Sequence, residues 1–146
     1  MNRWVWIVIV AVVLGGVGVS QAGDSRIPQH FQEQYAQATG SSAQLVKAIW
    51  FPIVPEWSPY KWDNILILSN FNNDTISVSC WFTTYSQVQT QKVYTLRFFE
   101  KKILQLDQNG FGDELYDIYC ASADLFGAAV LLLENGKIVT AWPPIY

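Results

Sequence analysis

The sequence has 146 residues, of which 51% are hydrophobic, and its formal net charge at pH 7 is −3. This mildly acidic balance argues against nucleic-acid binding, because the phosphate backbone has to be neutralised by clustered Lys and Arg side chains. Part of the high hydrophobic fraction comes from one N-terminal segment, which therefore has to be interpreted before the rest of the chain.

The N-terminal segment has the organisation of a secretory signal peptide over residues 1–22. Arg3 precedes an unbroken apolar run from Trp4 to Leu14, and Ser20-Gln21-Ala22 ends the segment with small residues. Its removal leaves 124 residues, and the loss of Arg3 changes the formal net charge to −4. An uncleaved anchor is the alternative, and membrane contact is expected only in that case. We therefore expect a secreted, periplasmic or cell-surface protein.

Residues 23–43 form a polar, glutamine-rich leader before the main domain. Within this leader, Ile27, Phe31, Tyr35 and Ala38 follow one another at spacings of 4, 4 and 3 positions, which is the period of a helix face. The leader is expected to be either a short helix that packs on the domain or a flexible stalk.

Residues 44–146 are predicted to form the domain itself, as short β-type runs separated by turn residues. A segment with Pro55 and Pro59, residues 53–61, is predicted to be an ordered aromatic loop. The predicted strands are 44–51, 64–69, 75–84, 93–99, 103–106, 115–121, 128–133 and 137–142. Their number and spacing predict an all-β fold, an antiparallel β-sandwich of about seven or eight short strands.

The last two strands give the clearest local prediction. They flank Asn135-Gly136, and this pair favours the positive φ angles of a type I′ hairpin turn. Pro143 and Pro144 follow the final strand and prevent it from continuing.

The strand 75–84 alternates between apolar and other side chains, which is typical of a sheet with one buried face. Cys80 belongs to the apolar set, and Trp81 lies out of phase with that set. Trp81 is therefore expected to point away from the core. Cys80 and Cys120 are the only cysteines, and an even count in an exported chain favours a disulfide between them.

Catalytic chemistry has little support in this sequence. The only histidine, His30, lies in the polar leader, and no nucleophile elbow, phosphate loop or zinc motif occurs. Asp107, Asp113, Glu114 and Asp117 form a carboxylate cluster, but its spacing matches no established calcium loop. We expect no catalytic residues, no metal and no cofactor. An enzyme would require paired acids such as Asp113 and Asp117 to act across a cleft.

Aromatic residues are more informative than the carboxylates as candidates for a binding surface. An exposed aromatic ring on a sheet face can stack on a sugar or anchor another protein subunit. The alternative is that these rings bury one another beneath the proline-rich loop. The predicted binding residues are Trp57, Tyr60, Trp62, Trp81 and Tyr85.

Four segments share the layout of a known family of small bacterial domains. These segments are Ile65–Asn70, Asp74–Phe82, Tyr94–Phe98 and Lys102–Asp107. The first strand ends in Asn and precedes a turn. A β-branched strand that ends in an aromatic residue comes next, and a further strand then leads to the short segment Lys-Ile-x-x-Leu-Asp. This layout resembles β-sandwich domains of the sensory rhodopsin transducer type. The resemblance implies a β-sandwich without catalytic activity.

Two functional hypotheses follow from these observations. The first is a non-enzymatic, exported structural or protein-binding module, a subunit of a cell-surface or envelope assembly that binds a protein partner or itself. The uncharged strand edges support this hypothesis, because such edges have to be covered or used for assembly. The second is a carbohydrate-binding module that uses the exposed Trp and Tyr rings for a glycan.

Overall fold

The computed structural model describes residues 27–56 and 62–146. The predicted signal peptide therefore lies outside the described residues. The described part contains one α-helix, α1 (Gln29–Thr39), a 3-10 turn over Asp107–Asn109, and eight strands. The strands are β1 (Lys47–Glu56), β2 (Trp62–Asn70), β3 (Ile76–Thr84), β4 (Gln89–Leu96), β5 (Lys101–Gln105), β6 (Glu114–Ser122), β7 (Phe126–Glu134) and β8 (Lys137–Trp142).

The eight strands form two four-stranded antiparallel sheets. Sheet A has the order β1-β6-β3-β4, and sheet B has the order β5-β2-β7-β8. The main core lies between the two sheets and takes alternate residues from each strand. In β2, for example, Leu66 and Leu68 are fully buried, whereas Ile65 and Ile67 on the other face are partly exposed. The prediction of an all-β antiparallel sandwich is confirmed.

Strand β1 is longer than the sequence predicted. It was expected to end at Phe51, with a loop from residue 53, but it continues through Pro52 and Pro55 to Glu56. The register with β6 shifts between Phe51 and Val54, so β1 is irregular where the prolines occur. Because β1 is the edge strand of sheet A, its prolines need not donate to a second neighbouring strand.

The leader forms a helix that packs on sheet A. Helix α1 ends at Gly40, whose φ of 68° is the left-handed conformation common after helices, and Gly40 N donates to Ala36 O at 2.9 Å. Tyr35 is buried in a second apolar cluster on the outer face of sheet A, with Phe31 packed against this cluster. The helical alternative for the leader is therefore the observed one.

The predicted hairpin joins β7 to β8. Asn135 has a φ of 51° and Gly136 a φ of 75°, so both central residues have the positive φ that a type I′ turn requires. The C-terminal tail then crosses to sheet A, where Ile145 and Trp50 exchange two backbone hydrogen bonds. The tail thereby covers part of the edge of β1.

The predicted disulfide is present between Cys80 and Cys120. The two residues are direct neighbours across β3 and β6, and both face the core between the sheets. A buried structural disulfide indicates that the folded chain exists in a non-reducing environment. No helix among residues 27–56 and 62–146 has the length and apolar character needed to cross a membrane.

Removing the disulfide is expected to destabilise the protein. The double variant Cys80→Ala/Cys120→Ala should lose about 2–4 kcal/mol of unfolding free energy, because the bond closes a long loop in the unfolded chain. Urea denaturation of the variant and of the reduced wild type measures this loss. Equal midpoints for the oxidised wild type and the double variant would contradict the expectation.

Candidate functional site

An acidic cleft lies at one end of the sandwich, where β1 ends, β2 begins and the β7–β8 turn comes close. The cleft has a volume of about 470 Å³. The residues that line it are Glu56, Trp62, Asp63, Gln105, Asp107, Asp113, Leu133, Asn135 and Gly136. Four of these are carboxylic acids, so we call this feature the acidic cleft.

Glu56 is the buried centre of the acidic cleft, with only 3% of its surface exposed. Its Oε2 atom accepts hydrogen bonds from the backbone N and the side-chain Nδ2 of Asn64, each at 3.0 Å. Asn64 is itself fully buried, and its Oδ1 accepts a hydrogen bond of 2.9 Å from Trp142 Nε1. This network connects β1, β2 and β8, so the carboxyl group is fixed by both sheets.

The pKa of Glu56 is raised to about 8, chiefly by burial and in addition by a hydrogen bond to the neighbouring Asp63 and the negative charge of Asp63. The hydrogen bonds from Asn64 act in the opposite direction. Glu56 is therefore largely protonated at neutral pH. A protonated Glu56 can donate to Asp63, whose Oδ1 is buried and has no other hydrogen-bond donor among the described residues.

Two of the predicted binding residues lie at this end of the sandwich. Trp62 lines the acidic cleft, and its Nε1 is 3.4 Å from Glu134 Oε1. Tyr85 is 81% exposed and lines a smaller hollow of about 280 Å³, which shares Glu56 and Asp113 with the cleft. Trp57 and Tyr60 lie outside the described residues.

Trp81 does not form the exposed platform that the sequence suggested. It points away from the core between the sheets, as predicted, but helix α1 covers it and its exposed fraction is 0%. Its ring centroid is 4.6 Å from that of Phe31, and Phe31 also stacks on Tyr119 at 4.3 Å. The strand alternation gave the direction of the side chain correctly, but it did not indicate that the leader would cover that face.

The carboxylate cluster of the sequence separates in the structure. Asp107 and Asp113 reach the acidic cleft, whereas Glu114 accepts a hydrogen bond of 2.8 Å from Ser86. Within the part of the chain that the structure describes, no three His, Cys, Asp or Glu residues form a group suited to a metal ion.

A second surface feature, the outer face of sheet B, was not predicted. We use this name for the side of sheet B that is turned away from sheet A. It carries the aliphatic residues Ile65, Ile67, Ile103, Ala129, Leu131, Leu133, Ile138 and Ala141. None of them belongs to either apolar cluster of the described residues, and Ile103 and Ile138 are 66% and 65% exposed.

The sequence contains a signal for this face. Residues 65–68 and 130–133 are apolar at every position, so both faces of β2 and β7 are apolar. Such runs are typical of strands that are covered on both sides, and sheet B is covered on one side only in the described part of the chain.

Comparison with known proteins supports the fold of this chain and does not indicate a function. No family model and no curated protein matches this chain. The chain is similar to the crystal structure of Thermotoga maritima 1070, with a TM-score of 0.54 and 16% sequence identity. The superposition covers 68% of this chain and 88% of the Thermotoga maritima protein.

Trp81 and Tyr85 are expected to respond differently to truncation. Trp81→Ala should lower the unfolding free energy by about 3–5 kcal/mol, because it leaves a cavity beneath α1. The exposed Tyr85→Ala serves as the control and should leave stability nearly unchanged. Thermal and urea unfolding measure both variants. Comparable stability of the two variants would contradict the burial of Trp81.

Glu56 is expected to make stability depend on pH. Its pKa is raised in the folded state, so the folded state holds more protons, and stability should fall as pH rises from about 4.5 toward 8. Glu56→Gln should remove most of this slope, whereas the exposed Glu33→Gln should retain it. Urea unfolding at several pH values tests this expectation. A slope that is the same in Glu56→Gln and the wild type would contradict it.

Proposed function

We propose that this chain is an exported, non-enzymatic β-sandwich that acts as a structural or protein-binding module, and that the outer face of sheet B is its contact surface. The observation that carries the proposal is the difference between the two sheets. The outer face of sheet A is covered by α1, whereas the aliphatic outer face of sheet B is open in the described residues. Contiguous exposed apolar surface of this kind marks interaction sites in soluble proteins.

The chemistry of this face favours a protein partner. Apart from Gln105 on the edge strand β5, its centre carries aliphatic side chains, which offer no hydrogen-bond donors or acceptors to a polar ligand. The favourable contribution has to come from removing apolar area from water, at about 25 cal/mol per Å². A matching apolar surface on a polypeptide supplies that contribution.

The disulfide supports export, because structural disulfides persist in oxidising compartments. The signal-peptide pattern of residues 1–22 supports the same conclusion from the sequence. A secreted, periplasmic or cell-surface location agrees with both observations.

Carbohydrate binding at the acidic cleft is a second candidate function. It is favoured by the position of the Trp62 ring beside the polar groups of Asp63, Gln105 and Asn135. Sugar-binding sites combine an aromatic ring for stacking with side chains that hydrogen-bond hydroxyl groups. Trp57 and Tyr60 are further candidates for sugar binding, because they lie within five positions before Trp62 in the chain.

The protein-binding function is tested by photo-crosslinking in the cell that makes the protein. A benzophenone amino acid at position 131, in the centre of the face, is expected to crosslink to a protein identified by mass spectrometry. The same group at position 88 is the control, because Val88 is an exposed aliphatic residue on another surface. An absence of protein crosslinks from position 131 would contradict the proposal.

The carbohydrate alternative is tested with a panel of oligosaccharides. If the acidic cleft binds a sugar, calorimetry should detect binding to the wild type and an affinity about 5- to 30-fold lower in Trp62→Ala, because removing one stacked aromatic ring costs about 1–2 kcal/mol. Phe98→Ala is the matched control, because it removes an exposed aromatic ring from the connection between β4 and β5, away from the residues that line the cleft. Equal binding by Trp62→Ala and the wild type would exclude the cleft.

A further inference from the structure

We infer that the occupant of the outer face of sheet B is the same face of a second copy of this chain, related to the first by a twofold axis that lies across the strands. This inference rests on the proposed function and names the partner for that surface. Two such faces pack as aligned sheets about 10 Å apart, which is the usual arrangement of a β-sandwich.

The strand register arranges the outer face of sheet B in four rows. From one end to the other, neighbouring strands place Lys101 beside Ser69 and Gly127, then Ile103 beside Ile67 and Ala129. The third row has Gln105, Ile65, Leu131 and Ala141, and the fourth has Asp63, Leu133 and Ile138. The two central rows are therefore almost entirely aliphatic, and charged groups occur only in the outer rows.

The two ends of this face carry opposite charge. Lys101 is exposed in the first row, and Asp63 lies in the fourth row beside the exposed Asp107 and Asp113 of the acidic cleft. The other charged residues nearby occur with a residue of opposite sign close in the chain. At the basic end Glu100 follows Arg97 and accepts a hydrogen bond from the backbone N of Arg97. At the acidic end Glu134 and Lys137 are opposite each other in the register of the hairpin.

This distribution of charge selects one twofold arrangement. A twofold axis along the strands would place the acidic end of one copy over the acidic end of the other copy, and these like charges would repel each other. An axis across the strands reverses the order of the rows in the partner. Lys101 of each copy then lies above the acidic end that contains the Asp63 carboxylate of the other copy.

The aliphatic side chains fit the same arrangement. When the rows are reversed, the second row faces the third row, so Ile67 lies over Ile65 and Ala129 over Leu131 of the second copy. A small residue therefore meets a large one along β7. Phe71 extends the apolar surface at the basic end, because its ring covers Gly127 and is itself 59% exposed. In the reversed arrangement Phe71 approaches the leucine and isoleucine of the fourth row.

The size of the face sets the strength of the association. Four strands by four rows span about 20 Å by 20 Å, so each copy contributes about 400 Å², below the roughly 800 Å² per partner of a standard stable complex. The dimer is therefore expected to be weak and reversible, with the monomer predominating at low concentration. The charged contacts should make this equilibrium depend on ionic strength.

The test uses two charge-reversed variants, Lys101→Glu and Asp63→Lys, of the protein in the form that the cell produces. In each variant alone, like charges meet at both symmetric contacts, and the dimer dissociation constant should rise by about tenfold. An equimolar mixture of the two variants restores opposite charge at both contacts. Sedimentation velocity should therefore show a mixed dimer of nearly wild-type affinity, and 0.5 M salt should reduce the difference.

Gln105→Lys replaces Asp63→Lys if the latter fails to fold, because Gln105 lies on the same face and its Nε2 donates to Asp63. A wild type that stays monomeric up to about 1 mM, or variants that associate as the wild type does, would overturn the inference. The crosslinking experiment separates this result from failure of the proposed function. Crosslinks from position 131 to a different protein would keep the function and reject the second copy.

Discussion

Each sheet of a sandwich has two faces, and only one of them can pack against the other sheet. The two sheets of this structure differ in whether a further layer covers the remaining face. On sheet A, helix α1 places Phe31 and Tyr35 over Trp81, so the leader completes a second apolar layer. On sheet B, the remaining face is aliphatic and has no such layer among the described residues. This asymmetry makes the outer face of sheet B the candidate contact surface.

The acidic cleft is a polar site that adjoins one end of the outer face of sheet B. Glu56 is buried in contact with Asn64, and Asn64 in turn accepts a hydrogen bond from Trp142, so one network links the strand ends of both sheets. The cost of burying a carboxyl group is limited because Glu56 is protonated near neutral pH. The cleft and the outer face of sheet B meet at Asp63. This residue therefore belongs to both the candidate glycan site and the proposed self-contact.

Local patterns in the sequence predicted most of the fold. The alternation in β3 correctly predicted which side chains face the main core, and the Asn135-Gly136 turn is confirmed, because both depend on nearby residues. The expectation that only one face of β3 is buried was wrong, since Ser79 and Trp81 on the other face are buried as well. The extension of β1 through Pro52 and Pro55 was missed because the tolerance of an edge strand for proline depends on tertiary position. The burial of Trp81 and the assembly of the acidic cleft were missed for the same reason. Both bring together residues that lie far apart in the chain.

The role proposed for the outer face of sheet B is contact between copies of the chain. The most direct measurement is light scattering with size-exclusion chromatography over a hundredfold range of concentration, for the wild type, Ile67→Lys and the control Val88→Lys. We predict that the wild type and Val88→Lys rise from the monomer mass toward twice that mass, while Ile67→Lys remains a monomer. Three monomers, or association of Ile67→Lys like that of the wild type, would contradict the claim.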